Sequence, residues 1–185
     1  MKISISSRIT EQSDNKEKSF LSLDNFIKLA SKHKFDGVSL RPSMISNDSS
    51  EYLVNQAQKL FNENNMKVSM ITSNIHVAKN DELASDILRN ITPSLDLAEK
   101  LKTSRIRIMI KNSDDIFYAR KALDEAKERN LKLLQQTHWG TLAETLDETV
   151  TLIKKINHKN FGITFEPANL MACGSEFNKN ALKIL

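Results

Sequence analysis

The chain has 185 residues, 39% hydrophobic and 27% charged, which is the composition of a globular protein with one sizeable core and one domain over residues 1–185. The formal charge of +4 comes from lysines and arginines interleaved with acids, as in KALDEAKERN, so the pattern predicts solvated helix faces and no nucleic-acid partner. No apolar run is long enough to span a bilayer, the start MKISISSRIT has no apolar signal region, and Cys173 stands alone; no membrane partner, no internal disulfide and a reducing cytoplasm are expected.

Short β-branched runs then alternate with longer amphipathic ones. Residues 2–6 (KISIS) have the two-residue period of a strand. Residues 23–34 place Phe26, Ile27, Leu29 and Ala30 at helical spacing, and Asp36 with Gly37 supplies turn chemistry before a strand at 37–40 (GVSL). A helix over 50–65 carries Leu53, Val54, Ala57, Leu60 and Phe61 on one face, and 67–72 (KVSMIT) is a strand. Residues 84–102 are helical, with a new turn or kink at Pro93. A strand at 105–110 (RIRIMI), a helix over 114–130 and a strand at 131–137 (LKLLQQT) follow. A helix over 142–157, a strand at 161–165 (FGITF) and the opening of another helix in FNKNALKIL complete the chain.

Strand–helix alternation at this spacing argues for parallel strands joined by right-handed crossovers. An open doubly wound sheet and a (β/α) barrel both satisfy it, but no glycine-rich phosphate loop follows any strand, which favours the barrel. The expected fold class is therefore α/β, a parallel (β/α) barrel of TIM type, incomplete at about six βα units where closure takes eight strands and typically roughly 250 residues. Unpaired edges on the first and last strands lead to an expectation of homo-oligomers.

Function in such folds gathers where strands end. Those ends carry Ser6 and Arg8, then Arg41, then Ser73, Asn74 and His76, then Lys111 and Asn112. The fifth strand ends in Gln135, Gln136, Thr137, His138 and Trp139, and the sixth in Glu166, Pro167, Ala168 and Asn169. So polar a rim on an apolar scaffold points to a polar ligand.

The segments QQTHWGTLAETLDETVTLIKKI and FGITFEPANLMACG, with the Phe35-Asp36-Gly37 turn leading into Gly37-Val-Ser-Leu-Arg41, resemble the xylose isomerase-like TIM barrel superfamily of sugar-phosphate isomerases and epimerases. The resemblance covers nearly the whole chain, shortened after the sixth βα unit. It implies a sugar or sugar-phosphate substrate and a divalent metal (Mn, Mg, Co or Zn). It further implies metal-assisted proton transfer beside a carbonyl, with paired glutamates moving the proton. Carried over by position, Glu166 is the strand-six carboxylate, catalytic and a metal ligand, and His138 is the strand-five histidine, a metal and substrate ligand. Asn169 and His76 fall at substrate-facing positions. Gln136 stands in the catalytic place of the strand-five glutamate. An amide cannot shuttle a proton near neutral pH and removes a charge that a hard cation needs, so the metal is expected to be weakened or absent.

Blander roles compete. Glu166 could salt-bridge Lys111 or Arg107, and His76 could be structural. Arg41 and Arg107 have the donors to grip a phosphate. Arg107 lies mid-strand, however, and pairing with an acid on a neighbouring strand is the better expectation for it. Trp139 is expected to stack on a sugar or cap the rim, His33 and His158 to lie on the surface, and Cys173 to be inert. Whether the chain is an enzyme stays open between an isomerase or epimerase and a non-catalytic relative that binds a small polyol or serves as an assembly subunit. An apurinic-site nuclease would need a cluster of metal ligands that four scattered histidines do not supply.

Overall fold

Six short parallel strands form one sheet in the order β1-β2-β3-β4-β5-β6, every strand hydrogen-bonded to its neighbours in sequence, in a computed structural model that describes residues 1–175. They are β1 (Ser4–Ser6), β2 (Gly37–Leu40), β3 (Lys67–Ile71), β4 (Arg105–Ile108), β5 (Lys132–Gln136) and β6 (Phe161–Thr164). A doubly wound sheet would reverse its strand order part-way; a sequential order is that of a barrel wall. The wall curves, because Thr164 Oγ1 of β6 lies 3.7 Å from Met70 Sδ of β3 across the inner face. The fold is thus the expected incomplete TIM-type barrel.

The connecting helices are α1 (Leu23–Lys32), α2 (Glu51–Glu63), α3 (Ile75–Lys79), α4 (Thr92–Lys100), α5 (Asp115–Glu128), α6 (Leu146–Ile156) and α7 (Pro167–Ala172). Side chains supply the orphan amides at several starts: Ser22 accepts from Asn25 N, and Ser50 from Leu53 N. Thr145 and Glu148 form a reciprocal capping box at α6, which therefore starts four residues later than the expected 142. The helical stretch expected over 84–102 resolves into a 3-10 turn at Asp86–Arg89 and then α4, with Pro93 in its first turn, where a missing amide costs nothing. Helices α3 and α7 were not foreseen. The last helix expected, in residues 177–185, lies outside the described residues.

Helix ends follow one rule. With four glycines in the whole chain, the left-handed residue after each of α1 to α6 is Lys34, Asn65, Asn80, Lys102, Asn130 or Asn157. Asn tolerates that conformation best after glycine. Five of these stops lead into the next strand, and Asn80 leads through the 3-10 turn into α4.

Strand alternation divides the residues between two faces. Val38, Leu40, Ile71, Ile106, Ile108 and Leu133 are buried in the core with Phe26, Ile27, Leu95, Leu123 and Leu152 of the helices. Their neighbours Ser39, Met70, Arg107, Leu134 and Gln136 fall to the inner side, so the barrel interior is polar.

Gly37 has a role other than the turn the sequence suggested. A Cβ there would meet the Lys67 carbonyl oxygen at 2.7 Å, backbone that cannot swing away, whereas a Cβ at Gly162 would meet only Leu134 Cδ2 at 2.8 Å. Gly37→Ala is expected to destabilise the fold by about 1–3 kcal/mol in urea denaturation, and Gly162→Ala by less, since a leucine can change rotamer. Equal costs would contradict this account of the β2–β3 contact.

Candidate functional site

A cavity of about 490 Å³ opens at the carboxyl ends of the strands. Every strand, or the residue that follows it, contributes at least one polar group, among them Ser6, Arg41, Thr72, Arg107, Gln136 and Thr164, and Glu166 lies two residues beyond β6. From the β1–α1 loop come Arg8 and Lys16, and His138 and Asn169 complete the far rim. The loop is brought over the cavity by the Lys79 Nζ–Glu17 Oε1 ion pair at 2.5 Å and an antiparallel bridge between Glu11 and Ser19.

Glu11, absent from the sequence reading, organises one side. Its side chain is 0% exposed and lies between two guanidinium groups: Arg41 Nε donates to Oε1 and Arg8 Nη1 to Oε2, both at 2.6 Å. Arg41 also donates through Nη2 to the Ala78 carbonyl at 3.1 Å, and its own amide donates to Ser7 Oγ at 2.9 Å. Arg41 lines the cavity as expected, but its Nε is committed to Glu11 and its Nη2 to α3. Separation by 30 residues hides that ion pair from any local pattern.

On the opposite side Gln136 Nε2 donates to Glu166 Oε2, joining the two residues the sequence paired. Gln136 Oε1 is buried with no hydrogen-bond partner among the described residues. Thr137 fixes the Glu166 backbone: its hydroxyl accepts from Glu166 N at 2.9 Å and donates to Glu166 O at 3.3 Å. Asn169 Nδ2 donates to the Thr137 carbonyl at 2.9 Å, so its amide also holds α7 against the end of β5. The Glu166 carboxylate forms no salt bridge with Lys111 or Arg107; the Lys111 ammonium instead donates to the carbonyls of Asn80 and Asp81.

Arg107 departs from the expectation most clearly. It sits on the inner face of β4, 5% exposed, and no acid on a neighbouring strand pairs with it. Among the described residues it has no hydrogen bond or ion pair, and its buried Nε is unpartnered. Burial, then repulsion from Arg41, pushes its guanidinium down to about 9, opposed by the charges of Glu166 and Glu11. It remains cationic at neutral pH. Lys16 is likewise held below the ordinary lysine range, first by burial and then by Arg8 and Arg41. The available signal was the strand RIRIMI itself, where an arginine falls between two residues destined for the core.

His138 reaches the cavity with Nδ1 3.0 Å from both Asn80 Nδ2 and the Trp139 carbonyl oxygen. His76 and Trp139 do not line it. His76 Nδ1 lies 2.9 Å from Asp81 Oδ2, and the Trp139 side chain is mostly solvent-exposed while its carbonyl accepts from Asn80. Burial, then the charges of Glu144 and Glu148, raises the Cys173 thiol above the ordinary thiol range, and His158 is a half-buried partner of Asp124 at 3.5 Å.

With this geometry, the pattern of the xylose isomerase-like TIM barrel matches residues 27–184. The chain belongs to that family. No curated protein matches the chain. Solved structures with the same fold include the probable 3-DHS dehydratase AsbF involved in petrobactin synthesis from Bacillus anthracis, at 17% identity and a TM-score of 0.75, over 95% of this chain and 66% of that one. A xylose isomerase-like TIM barrel protein from Mycobacterium smegmatis in complex with magnesium matches at 14% identity and TM-score 0.70, over 91% of this chain and 65% of that one. D-allulose 3-epimerase from Methylomonas sp. in complex with D-allulose matches at 10% identity and TM-score 0.67, over 92% and 64%. The chain thus spans just under two thirds of the length of these relatives.

A resident divalent metal, implied by the resemblance, fits the described residues poorly. No group of three or more His, Cys, Asp and Glu side chains among them is arranged to hold an ion. Glu166 is the one carboxylate lining the cavity, one of its oxygens already takes the Gln136 amide, and Arg8, Lys16, Arg41 and Arg107 line the same space. A hard cation needs the opposite balance of charge.

Burial is the largest influence on the His138 imidazole and lowers it, with Arg107 adding repulsion and the Trp139 carbonyl opposing both. A group depressed in the fold contributes stability above its unfolded value of about 6.5 and loses it as pH falls through the folded value. NMR titration of His138 is expected to give a midpoint below about 6.5, and melting temperature to fall across that window less steeply in His138→Gln than in the unaltered chain. A midpoint above that value would contradict this reading of the rim.

Proposed function

We propose that this protein binds a sugar or a sugar-derived polyol in the cavity at the strand ends, as a sugar isomerase- or epimerase-like member of its family. The observation that carries the reading is the convergence of six strands on one polar cavity of about 490 Å³, a size suited to a small ligand. Hydroxyls from Ser6, Thr72 and Thr164, the Gln136 amide and the Asn169 amide offer both donors and acceptors to a polyol. The binding of D-allulose by a relative of the same fold supports the same class of ligand.

Glu166 is the group suited to move a proton. A carboxylate that accepts from Gln136 on one oxygen is suited to take a proton from a carbon beside a carbonyl, and the Gln136 amide can only orient it. A second carboxylate to complete a pair is absent from the cavity lining among the described residues. That absence of a paired acid, together with Gln136, favours a second reading, in which the protein holds its ligand without turning it over.

Calorimetric titration with a ketohexose such as D-allulose is expected to show saturable binding that Glu166→Ala reduces at least tenfold while its circular dichroism and melting transition stay intact. Unchanged affinity in Glu166→Ala would sink the assignment of the cavity. Conversion of the ketose to its epimer, followed by chromatography, separates the two readings: turnover removes the binding-only reading, and binding without turnover removes the enzymatic one.

A further inference from the structure

Removing a proton from the carbon beside a carbonyl places negative charge on the carbonyl oxygen, and a site that does so must set a positive group against it. The group implied by the resemblance is a divalent ion, and the donor set of the cavity does not suit one. The cavity offers a fixed cation in its place. Arg107 lies on the inner face of β4, 5% exposed, with no hydrogen bond or ion pair among the described residues, whereas Arg8 and Arg41 are both committed to Glu11. Strand register sets its depth. Arg107 is level with Leu134, and Gln136 with Thr164, so the arginine springs from one inner-face layer below the Gln136 amide, and Glu166 follows two residues after Thr164. A ligand in this cavity has the guanidinium on its deep side and the Glu166 carboxylate near the strand ends. An arginine kept only for the fold would be buried against an acid; this one is left unpaired at a cost to stability, in the space a polar ligand enters.

We propose that Arg107 stands in for the metal ion: its guanidinium hydrogen-bonds the carbonyl oxygen of a neutral hydroxyketone while Glu166 removes the proton from the adjoining carbon, so that proton transfer in this cavity needs no divalent ion. The inference rests on the enzymatic reading of the cavity and deepens it. The step balances between the ligand and two side chains. The C–H electron pair becomes the carbon–carbon double bond of an enediolate, the carbonyl π pair moves onto oxygen, and the proton goes to the Glu166 carboxylate. The oxyanion then lies against a planar set of N–H donors that is in place before the charge develops. Return of the proton from Glu166 to carbon completes the cycle, with no electron acceptor involved. Gln136 holds the carboxylate and brings no charge of its own to compete for the guanidinium.

The test follows exchange of the carbon-bound proton of D-allulose for solvent deuterium by mass spectrometry, in protein treated with EDTA and in protein given excess Mg²⁺ or Mn²⁺. Equal exchange rates are expected in both, with no saturable binding of either ion to the sugar-free protein in calorimetry. Arg107→Met is expected to lower kcat for exchange by about 100-fold or more while KM and the calorimetric Kd for D-allulose change by less than about threefold. Arg107→Lys should recover part of the rate, since an ammonium restores the charge without the planar fork. The Arg107→Met protein should melt no lower than the unaltered chain, because an unpaired buried charge gives way to an apolar side chain of similar length. Undiminished exchange in Arg107→Met, or a loss confined to affinity, would overturn the inference. Exchange that vanishes in EDTA and returns with Mg²⁺ or Mn²⁺ would overturn it and leave the enzymatic reading standing. Absence of exchange under every condition would overturn the inference together with the enzymatic reading.

Discussion

The arrangement of the cavity depends on one buried carboxylate. Glu11 has a fully buried side chain, and it is tolerated there because both oxygens accept from guanidinium groups at 2.6 Å. Removing one member of such a pair typically costs about 3–5 kcal/mol, since the remaining charge is left stranded in a low dielectric. Through Arg41 the carboxylate ties the β1–α1 loop to the end of β2 and onward to the Ala78 carbonyl in α3. The loop that carries Lys16 and the wall that carries Arg107 are thereby held in register. Because Glu11 is saturated by Arg8 and Arg41, it cannot also neutralise Arg107. The positive character of the cavity follows from that saturation.

This balance separates the chain from what its resemblance implied. A divalent metal needs several anionic or imidazole ligands around one point, and the cavity offers Glu166 and His138 from two adjacent strands. Gln136 in place of the carboxylate that the resemblance implies removes one negative charge, and burying Arg107 on the adjacent strand adds a positive one. Both changes act in the same direction at short range in a poorly screened site. Four cationic side chains and one carboxylate line the cavity, and no group of three or more His, Cys, Asp and Glu side chains among the described residues is arranged to hold the metal that the resemblance implied. Folds commonly host such altered sites, since the strand ends can change while the helices that pack outside them stay the same.

The architecture was legible because it rests on local periodicity. Strands of four or five residues between amphipathic helices could be located from Val38, Ile71, Ile106 and Leu133 alone, and sequential pairing followed from the βα rhythm. Helices α3 and α7, with five and six residues, are too short to show a period. Boundaries failed where the signal was a single side chain, as with the Thr145–Glu148 capping box. At the site, proximity to strand ends located Arg41, Gln136, His138, Glu166 and Asn169, all of which line the cavity. It also selected His76 and Trp139, whose side chains turn to Asp81 and to solvent, because position at a rim does not determine direction. Glu11, Lys16 and the unpartnered state of Arg107 were out of reach. Each depends on which charges meet across the barrel, and that is a property of the curved wall rather than of any segment.

The most direct test of the account is a crystal structure of the protein grown with D-allulose at neutral pH in the presence of magnesium. The account predicts ketose hydroxyls within hydrogen-bond reach of Gln136, Glu166 and Asn169, and no ion between Glu166 and His138. A magnesium ion bound by Glu166 and His138, or a cavity without sugar, would contradict it.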